Sequence, residues 1–267
     1  MRNDNTKKIM RNTRNIMRSV DCGVRNEENN NSAFGKLYGI GIGPGDPELL
    51  TVKAVKLLNK VDTIFVPKAT DDGKSFAKEI VKTVIAGKKK FIEITFPMTR
   101  DRKKLQSSWL DAAKKIAGEL GPRKTAAFVT IGDPFIYSTY IYLLENMRKN
   151  FPEIEYETVP GISAFSAAAA SVGLPLLIGN EKLAIFPVSK SLKGLTEILK
   201  DFDTVILMKI GSKLESVLRF LKKKKLLELS VLVSHAGQPN EKIIRNLASL
   251  KDKKLGYLSV IIVRSKI

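Results

Sequence analysis

Residues 37–50 read LYGIGIGPGDPELL. An apolar run passes into alternating glycines, then into a turn rich in glycine and proline, and then into an amphipathic segment that begins near Glu48. This order predicts a strand, a tight loop and a helix, which together form the first unit of an α/β sheet. Glycine allows close approach to the backbone, and open α/β sheets hold ligands at the carboxyl ends of their strands. The stretch therefore predicts a small-molecule site at the end of the first strand.

The alternation of strand and helix continues beyond this stretch. Strands are predicted near residues 37–42, 61–66, 90–96 and 125–131, and helices near residues 48–59, 74–86, 101–120 and from the Gly-Asp-Pro turn at 132–134 to about 149. Because crossovers between parallel strands are right-handed, this order predicts a doubly wound α/β sheet. The preceding residues, 1–36, are polar, rich in asparagine and aperiodic, which predicts a disordered basic extension.

A second α/β domain is predicted after the sequence Asn150-Phe151-Pro152, which has the composition of a boundary. The two domains would comprise residues 37–150 and 151–267. Strands of the second domain are predicted near residues 156–159, 183–186, 204–208 and 230–233, with an alanine-rich helix at 165–172. Residues 242–245 and 257–263 are predicted to close it as an antiparallel pair.

Composition narrows the class of protein. With 267 residues, of which 43% are hydrophobic, the chain can bury a sizeable core. The single cysteine, Cys22, excludes an internal disulfide framework, and the lone His235 leaves no histidine cluster, so no metal site is predicted. No segment reaches the roughly 20 apolar residues that span a bilayer, and the amino terminus lacks a secretory signal. A cytoplasmic protein without a membrane partner is therefore predicted.

The formal net charge is +19 at pH 7. Residues 1–36 contain only eight of the 46 Lys and Arg residues, against four of the 27 Asp and Glu residues. Most of the positive excess therefore belongs to the globular part of the chain. Such an excess favours a polyanionic partner, either a nucleic acid or a small molecule with many carboxylates.

Four predicted strand ends carry similar loops, at residues 43–47, 131–134, 159–163 and 234–237. Any one of them is also an ordinary α/β turn, since such turns favour Gly, Pro and Asp, but four together indicate a ligand cleft. The dinucleotide fingerprint lacks its third glycine, which is replaced by Pro44, and no Gly-Lys-Ser/Thr sequence is present. Asp46 and Asp133 would repel phosphate. A cationic or neutral nucleoside ligand is predicted.

These motifs resemble those of a known family. The opening loop, IGDPFIYST at 131–139, VPGISA at 159–164 and Leu207-Met208 occur in the order found in the tetrapyrrole methylases, the S-adenosylmethionine-dependent enzymes of corrin and sirohaem synthesis. Residues 96–101 and the Tyr-Ser-Thr at 137–139 resemble the branch that methylates carbon 20 of precorrin-2 or cobalt-factor II in cobalamin biosynthesis. The resemblance implies two αβα domains, S-adenosyl-L-methionine in the cleft between them, and a homodimer.

Carried over by position, the resemblance implies contacts with the cofactor from the loops and strand ends. The implied residues are Pro44, Ile131, Gly132, Asp133, Ile136, Ser138, Thr139, Ser163, Ala164, Met208 and Ala236. For Met208 the alternative role is filling the core. For Ser138 and Thr139 the alternative is the start of a helix, where hydroxyl side chains are favoured.

A polycarboxylate tetrapyrrole substrate would also explain the positive charge. Four cations at or near predicted strand ends are candidates to contact it, namely Lys68, Arg100, Arg102 and Lys209, with solvated surface charge as the alternative. Relatives that act on uroporphyrinogen place an acidic proton acceptor after the second strand, where this chain has Pro67. That difference supports the carbon-20 branch.

Methyl transfer from a sulfonium is an in-line displacement that depends mainly on holding two reactants in line, so no nucleophile triad is predicted. Candidate acceptors for the displaced proton are Asp101, Tyr137 and His235, with capping, packing or surface exposure as alternative roles. The alternative function is an RNA methylase or a basic nucleic-acid-binding α/β protein of the same fold. We favour the tetrapyrrole enzyme because basic stretches interleaved with aromatic residues are not evident.

Overall fold

The computed structural model describes residues 34–68, 75–97, 99, 101–188, 192–250, 255 and 258–264. Most of the predicted extension, and Arg100, lie outside the described residues. The end of that extension belongs to the fold, because the Lys36 amide donates to the Lys124 carbonyl over 3.0 Å and the Gly35 carbonyl accepts from the Glu155 amide over 3.2 Å. Gly35 and Lys36, which the prediction placed in the extension, therefore already hydrogen-bond to the first sheet or to its adjoining residues.

The first sheet is entirely parallel and has the strand order β3-β2-β4-β1-β5. Its strands are β1 (Lys36–Gly41), β2 (Thr63–Lys68), β3 (Lys90–Thr95), β4 (Thr125–Thr130) and β5 (Glu155–Val159). The central strand β4 reads TAAFVT and is buried along most of its length, as expected for a parallel strand that is covered on both faces.

Helices cover both faces of this sheet, which confirms the doubly wound prediction. They are α1 (Val52–Lys60), α2 (Phe76–Val84), α3 (Arg102–Glu119) and α4 (Tyr140–Asn150). On one face, Ile40 and Val129 of the sheet share an apolar cluster with Leu58 of α1 and Ile80 of α2. On the other face, side chains of β2 and β4 share a cluster with α3 and α4.

Two helices begin later than predicted. The α1 helix begins at Val52, where the Thr51 hydroxyl accepts a hydrogen bond from the Ala54 amide over 3.1 Å. Residues Pro47–Leu49 instead form a separate 3-10 turn, capped by the Asp46 carboxylate. The α4 helix begins only at Tyr140, so residues 131–139 remain a long loop after β4. This loop is long enough to contribute several residues to a site.

The second sheet is mixed, with the order β6-β7-β10-β8-β9. Its strands are β6 (Leu183–Pro187), β7 (Thr204–Met208), β8 (Ser230–Ser234), β9 (Lys242–Ile244) and β10 (Ser259–Arg264), and its helices are α5 (Ala164–Val172), α6 (Leu195–Asp201) and α7 (Leu214–Lys223). The prediction that the last two strands pair with each other is wrong. Both are antiparallel to β8, one on each side, and β10 also pairs with β7.

The first sheet continues past the predicted domain boundary at 150/151. Strand β5 pairs in parallel with β1, so it completes the first sheet and does not belong to the second. The sequence Asn150-Phe151-Pro152 is the turn that ends α4, where the Phe151 amide donates to the Met147 carbonyl over 2.8 Å. Proline and asparagine there terminate a helix. The change from one sheet to the other therefore falls between Val159 and Leu183, and the division into domains remains a proposal.

Candidate active site

Strands β1 and β4 are neighbours in the first sheet, yet their crossovers leave in opposite directions. The helix that follows β1, α1, packs on one face, whereas the helix that follows β4, α4, packs on the other. Such a switch in direction opens a crevice at the carboxyl ends of the two strands, and ligands of open α/β sheets bind there. The loops that the sequence singled out, 43–47 and 131–134, both lie at this edge.

Glycine backbone holds the three loops of the first sheet together. The Gly132 amide donates to the Gly43 carbonyl over 2.7 Å, which joins the loops after β4 and β1. A Cβ at Gly161, in the loop after β5, would lie 2.3 Å from the Gly132 oxygen and 2.8 Å from the Gly41 carbonyl carbon. Only glycine can be accommodated at that distance. Glycine at 161 is therefore required by the close packing of these loops, and the predicted contact of Gly132 with a cofactor stays a prediction.

Asp133 fastens the same loops through its carboxylate. One oxygen accepts a hydrogen bond from the Phe135 amide over 2.8 Å, and the other accepts from the Gly161 amide over 3.2 Å. The side chain therefore links the loop after β4 to the loop after β5. The structure gives Asp133 a positioning role within the protein.

The loops of the second sheet contact this edge at two points. The Gln238 side-chain amide donates to the Pro44 carbonyl over 3.3 Å, beside the end of β8. The Tyr137 hydroxyl donates to the Ile185 carbonyl of β6 over 3.4 Å. A loop after β8 and the middle of β6 therefore contact the loops at this edge of the first sheet.

Three of the residues predicted to contact the cofactor lie in one apolar cluster. Ala164 at the start of α5, Met208 at the end of β7 and Ala236 after β8 belong to it, together with Ile162. The Met208 side chain is only partly buried, so it has a surface available besides its packing. The structure thus brings together three of the predicted residues that are more than 25 positions apart in sequence.

A cavity of about 440 Å³ opens beside the loop after β4. Its lining comprises Phe135, Ile136, Tyr137, Ser138, Thr139, Ile141, Tyr142, Ile185 and Lys209. Five of these residues were singled out by sequence, three as cofactor contacts and two as candidates for the substrate or for proton transfer. The loop between β4 and α4 and the end of β7 bring them together.

Two serines that were predicted to contact the cofactor make hydrogen bonds within the protein through their hydroxyl groups. The Ser138 hydroxyl shares a 2.8 Å hydrogen bond with Thr130 and accepts from the Tyr140 amide over 3.1 Å, so it caps α4. The Ser163 hydroxyl is bonded to Ser166 over 2.8 Å and caps α5. Both side chains are buried. The alternative role given to Ser138 and Thr139, the start of a helix, fits Ser138, whereas Thr139 occupies the N-cap position without a capping hydrogen bond from its side chain. The role of these residues and of Ser163 toward a cofactor stays a prediction.

Tyr137 and Lys209 form a pair in the cavity wall. The Lys209 ammonium lies 5.4 Å from the centre of the Tyr137 ring, and both residues have positive φ, 54° and 55°. Residues other than glycine rarely adopt this conformation, and when they do they are often at functional sites. Burial raises the pKa of the Tyr137 phenol, so the hydroxyl is a donor at neutral pH and is poorly suited to accept a proton.

The other two candidate proton acceptors do not line this cavity. The Asp101 carboxylate caps α3, accepting from the Lys103 amide over 2.9 Å. The His235 ring shares a 2.8 Å hydrogen bond between its Nδ1 and the Ser234 hydroxyl. Their proposed role in proton transfer stays a prediction.

Three of the four predicted substrate cations lie among the described residues, and they are not in equivalent positions. Lys209 lines the cavity, whereas Arg102 is exposed at the first position of α3. The Lys68 ammonium is largely buried and lies 3.2 Å from the Glu93 carboxylate, which also pairs with Lys78 over 2.9 Å. Lys68 is thus part of an ion-pair cluster between β2, β3 and α2. The sequence did not reveal this because Glu93 comes from a neighbouring strand.

This cluster predicts a loss of stability in acid. Hydrogen bonds from Lys78 and Lys68 hold the pKa of Glu93 below its ordinary value of 4.5. A lowered carboxyl pKa stabilises the fold above pH 4.5, and the contribution is lost as pH falls through the folded-state value. We expect Glu93→Gln to lower the urea midpoint at pH 7, and the difference from the unsubstituted protein to shrink below pH 4.5. Glu79→Gln, at an exposed pair with Lys82, is the control. A pH-independent difference would contradict this account.

A larger cavity, of about 980 Å³, lies between α2 and α5. It is lined by residues such as Phe76, Ile80 and Ala170 and by parts of three loops that the sequence singled out, at 45–47, 162 and 237, but by none of the individual residues predicted to contact the cofactor or substrate or to accept a proton. We assign the site to the smaller cavity because five residues that the sequence predicted for the site line it.

Sequence reasoning missed four residues of the smaller cavity wall, Phe135, Ile141, Tyr142 and Ile185. Ile141 and Tyr142 lie in the first turn of α4. The sequence analysis placed the start of this helix too early, so it did not place these two residues next to the loop that lines the cavity. No local signal marks Ile185, because the contact of β6 with Tyr137 depends on how the two sheets meet.

Two kinds of structure were sought in the described part of the chain. Among those residues, no three His, Cys, Asp or Glu side chains gather in a way that could hold a metal ion. No helix in the same residues has the length and apolar character needed to cross a membrane.

Comparison with known proteins gives the family. A sequence profile described as tetrapyrrole (corrin/porphyrin) methylases matches residues 36–251. The chain is 42% identical over 179 residues to a probable cobalt-precorrin-2 C(20)-methyltransferase of Methanocaldococcus jannaschii, covering 67% of this chain and 74% of that protein. It is 32% identical over 233 residues to the cobalt-precorrin-2 C(20)-methyltransferase of Salmonella typhimurium, covering 87% and 97% of the two chains.

Solved structures agree on the fold. A cobalt precorrin-4 methyltransferase superposes with a TM-score of 0.64 at 22% identity, covering 90% of this chain and 98% of that chain. A uroporphyrin-III C-methyltransferase from Thermus thermophilus, in complex with S-adenosylhomocysteine, superposes with a TM-score of 0.58 at 18% identity, covering 86% and 97%. The profile match and the two relatives lead to one conclusion: the chain belongs to the tetrapyrrole (corrin/porphyrin) methylases.

Proposed function

We propose that the protein transfers a methyl group from S-adenosyl-L-methionine to carbon 20 of precorrin-2 or of its cobalt form, a step of cobalamin biosynthesis. The two relatives described above are named for this reaction, and one of them is matched over nearly its whole length. These names favour the tetrapyrrole substrate over RNA, the alternative that the basic composition had left open.

The observation that carries the proposal is the space beside Gly132. This residue has φ of 75° at the switch in strand direction, and a Cβ placed on it would have no heavy atom within 4 Å. Backbone is therefore exposed to an open volume at the point where an open α/β sheet holds its ligand. The neighbouring loops also contribute small apolar side chains, Ala164 and Ala236. These features fit a nucleoside cofactor held largely by backbone and apolar contacts.

When bound, S-adenosylmethionine would supply a methyl group on a cationic sulfonium. The residues that would hold it are the backbone around Gly132 and the apolar cluster of Ala164, Met208 and Ala236. The chain's own contribution is then to bind and orient, because aligning two reactants can supply a large part of a rate enhancement. Tyr137 donates to the Ile185 carbonyl and so fixes the loop after β4 against β6.

The positive charge of the chain suits the proposed substrate. Lys209 lines the cavity with its ammonium near the Tyr137 ring, so it is placed to pair with a carboxylate arm of the tetrapyrrole. The net charge of +19 would steer a polycarboxylate toward the surface at low ionic strength. We expect the rate of substrate association to fall as salt is added.

Methyl transfer with defined substrates tests the proposal. The purified chain is incubated anaerobically with labelled S-adenosylmethionine and, in separate reactions, precorrin-2, cobalt-precorrin-2 and total RNA. We expect label in one or both tetrapyrroles, with a mass increase of one methyl group, and the ratio of the two rates identifies the preferred metal state. Label in RNA alone would overturn the proposal.

Asp133→Asn should weaken both stability and activity. An amide side chain offers one acceptor oxygen where the carboxylate now accepts two backbone amides, so one loop loses its partner. We expect a loss of about 1–3 kcal/mol in the free energy of unfolding, and a drop in kcat/KM that approaches 100-fold if the loop shifts by about 1 Å.

The matched control for this variant is Asp62→Asn. The Asp62 carboxylate accepts from the Thr125 amide over 2.8 Å at the opposite edge of the sheet, away from the cavity. Both of its hydrogen bonds, from the Thr125 amide and hydroxyl, run to one oxygen, which an amide oxygen can replace. We therefore expect this variant to keep kcat/KM and to lose less stability than Asp133→Asn in urea unfolding. Equal activity of both variants would show that the Asp133 bridge does not position the site.

We also propose a cytoplasmic homodimer, as the family resemblance implies. Leu177 and Ile178 follow α5 and expose about half of their side-chain surface, which offers apolar area for a subunit contact. Light scattering after size exclusion should give twice the 29.6 kDa chain mass. A monomer at micromolar concentration would contradict this part of the proposal.

A further inference from the structure

Several aromatic side chains stand exposed at the mouth of the smaller cavity. Phe135 and Tyr142, which line the cavity, expose 56% and 46% of their surface. Trp109 of α3 stacks on Tyr142 with ring centres 4.3 Å apart and the planes 8° from parallel. We call Phe135, Tyr142 and Trp109 the aromatic shelf. A contiguous group of exposed aromatic side chains, unlike a single one, is typical of a binding surface.

Two rings of the shelf, Phe135 and Trp109, contact buried side chains of the core. The Phe135 ring lies 6.0 Å from the ring of Tyr140, which is fully buried and hydrogen-bonded to Thr158 over 2.9 Å. The Trp109 side chain also packs against the apolar cluster between α3 and the first sheet. The exposed rings therefore have fixed positions, which lowers the entropy lost when a ligand stacks on them.

We propose that the aromatic shelf receives the broad ring face of the tetrapyrrole outside the cavity, an inference that rests on the proposed function. A cavity of about 440 Å³ is near the lower end of small-molecule sites, about 300–1,000 Å³. A macrocycle with carboxylate arms on every pyrrole extends beyond that space. The shelf is continuous with the cavity through Phe135 and Tyr142. It therefore lies beside the cavity, where the part of the macrocycle that does not fit inside would be placed.

Charge around the shelf favours the same ligand. Lys209 lines the cavity, and the helix that carries Trp109 begins with three exposed cations, Arg102, Lys103 and Lys104. A helix N-terminus adds partial positive charge at that end. An apolar ring face with anionic arms matches an aromatic surface with cations around it, whereas a second basic copy of this chain would bring further positive charge to it.

The test uses Trp109 as a reporter, because it is the single tryptophan of the chain. The full chain is titrated with uroporphyrin III, a stable octacarboxylate tetrapyrrole, and emission is compared with that of free tryptophan amide to correct for absorption by the porphyrin. We expect saturable quenching of Trp109. The visible absorbance of the porphyrin gives a second measure of Kd that does not depend on the reporter.

Variants then locate the contact. Tyr142→Ala and Phe135→Ala should each weaken porphyrin binding about three- to tenfold, whereas Tyr142→Phe should retain it. Phe76→Ala, at an exposed aromatic on α2, should leave Kd unchanged. With precorrin-2 as substrate, the two alanine variants should raise KM at constant kcat, because a contact remote from the methyl group binds substrate and transition state equally.

The outcomes separate this inference from the proposed function. If both alanine variants retain full porphyrin affinity while precorrin-2 is methylated, the shelf is not the contact and only this inference fails. If Tyr142→Ala changes the sedimenting mass and leaves Kd unaltered, the shelf is an interface between copies and the inference is overturned. If precorrin-2 is not methylated but the variants lose quenching, the shelf stands as a tetrapyrrole site and the proposed function fails.

Discussion

Gly132→Val is expected to weaken the binding of S-adenosylmethionine by about 100-fold or more. The residue lies in the loop after β4 with φ of 75°, and a Cβ there would meet no heavy atom within 4 Å. A valine side chain would therefore extend into the open space assigned to the cofactor, without a clash inside the protein. Isothermal titration with S-adenosylhomocysteine measures the loss. Unchanged affinity would refute the assignment of the cofactor to this space.

The matched control is Gly87→Val. Gly87 has φ of 73°, is equally open around a Cβ, and lies between α2 and β3 at the opposite edge of the sheet. Both variants place an L-residue in the left-handed region, which costs on the order of 1–3 kcal/mol. We expect similar decreases in Tm for the two proteins. Only the variant at Gly132 should lose affinity for the cofactor, which separates occupied space from backbone strain.

Gly161→Ala is expected to have the largest effect on stability. Its Cβ would lie 2.3 Å from the Gly132 oxygen and 2.8 Å from the Gly41 carbonyl carbon. Both are backbone atoms at the ends of paired strands, so neither can rotate away as a side chain would. We expect a loss of about 3 kcal/mol or more in the free energy of unfolding, measured by urea denaturation.

Gly118→Ala provides the opposite result as a control. Gly118 lies in α3, where a Cβ would have no heavy atom within 4 Å. Alanine in a helix is favoured over glycine by about 0.5–1 kcal/mol, so this variant should be slightly more stable than the unsubstituted chain. A Gly161→Ala protein of full stability would mean that the loops after β1, β4 and β5 can separate freely, which the close packing of their glycines does not allow.

The sequence predicted the first sheet and its loops because both signals are local. Alternating apolar strands and amphipathic helices carry their own period, and turns such as the one at 131–134 must follow the strand they end. The crevice was therefore predictable without coordinates. The role of Asp133 was not, because one of its partners, the Gly161 amide, lies 28 residues further along the chain.

Features that depend on neighbouring strands escaped the sequence. Lys68 lies at a strand end, where a cation could contact the substrate. The pairing of β2 with β3 places Val66 opposite Glu93, and this register brings the Glu93 carboxylate to the Lys68 ammonium. The wall of the cavity likewise combines Tyr142 with Ile185, which belong to different sheets. Such pairs are set by the pairing register and by contacts between sheets, and a local pattern records neither.

The position of β10 has a consequence for how the protein is made. This strand follows every other strand of its sheet in sequence, yet it lies between β7 and β8 and pairs with both. A nascent chain leaves the ribosome at about 5–20 residues per second. The first sheet can assemble once Val159 has emerged. In the second sheet, the edges of β7 and β8 that pair with β10 stay without a partner until β10 has been made. During that interval of synthesis, the second sheet is the part of the molecule with unpaired strand edges, and such edges are prone to pair with other chains.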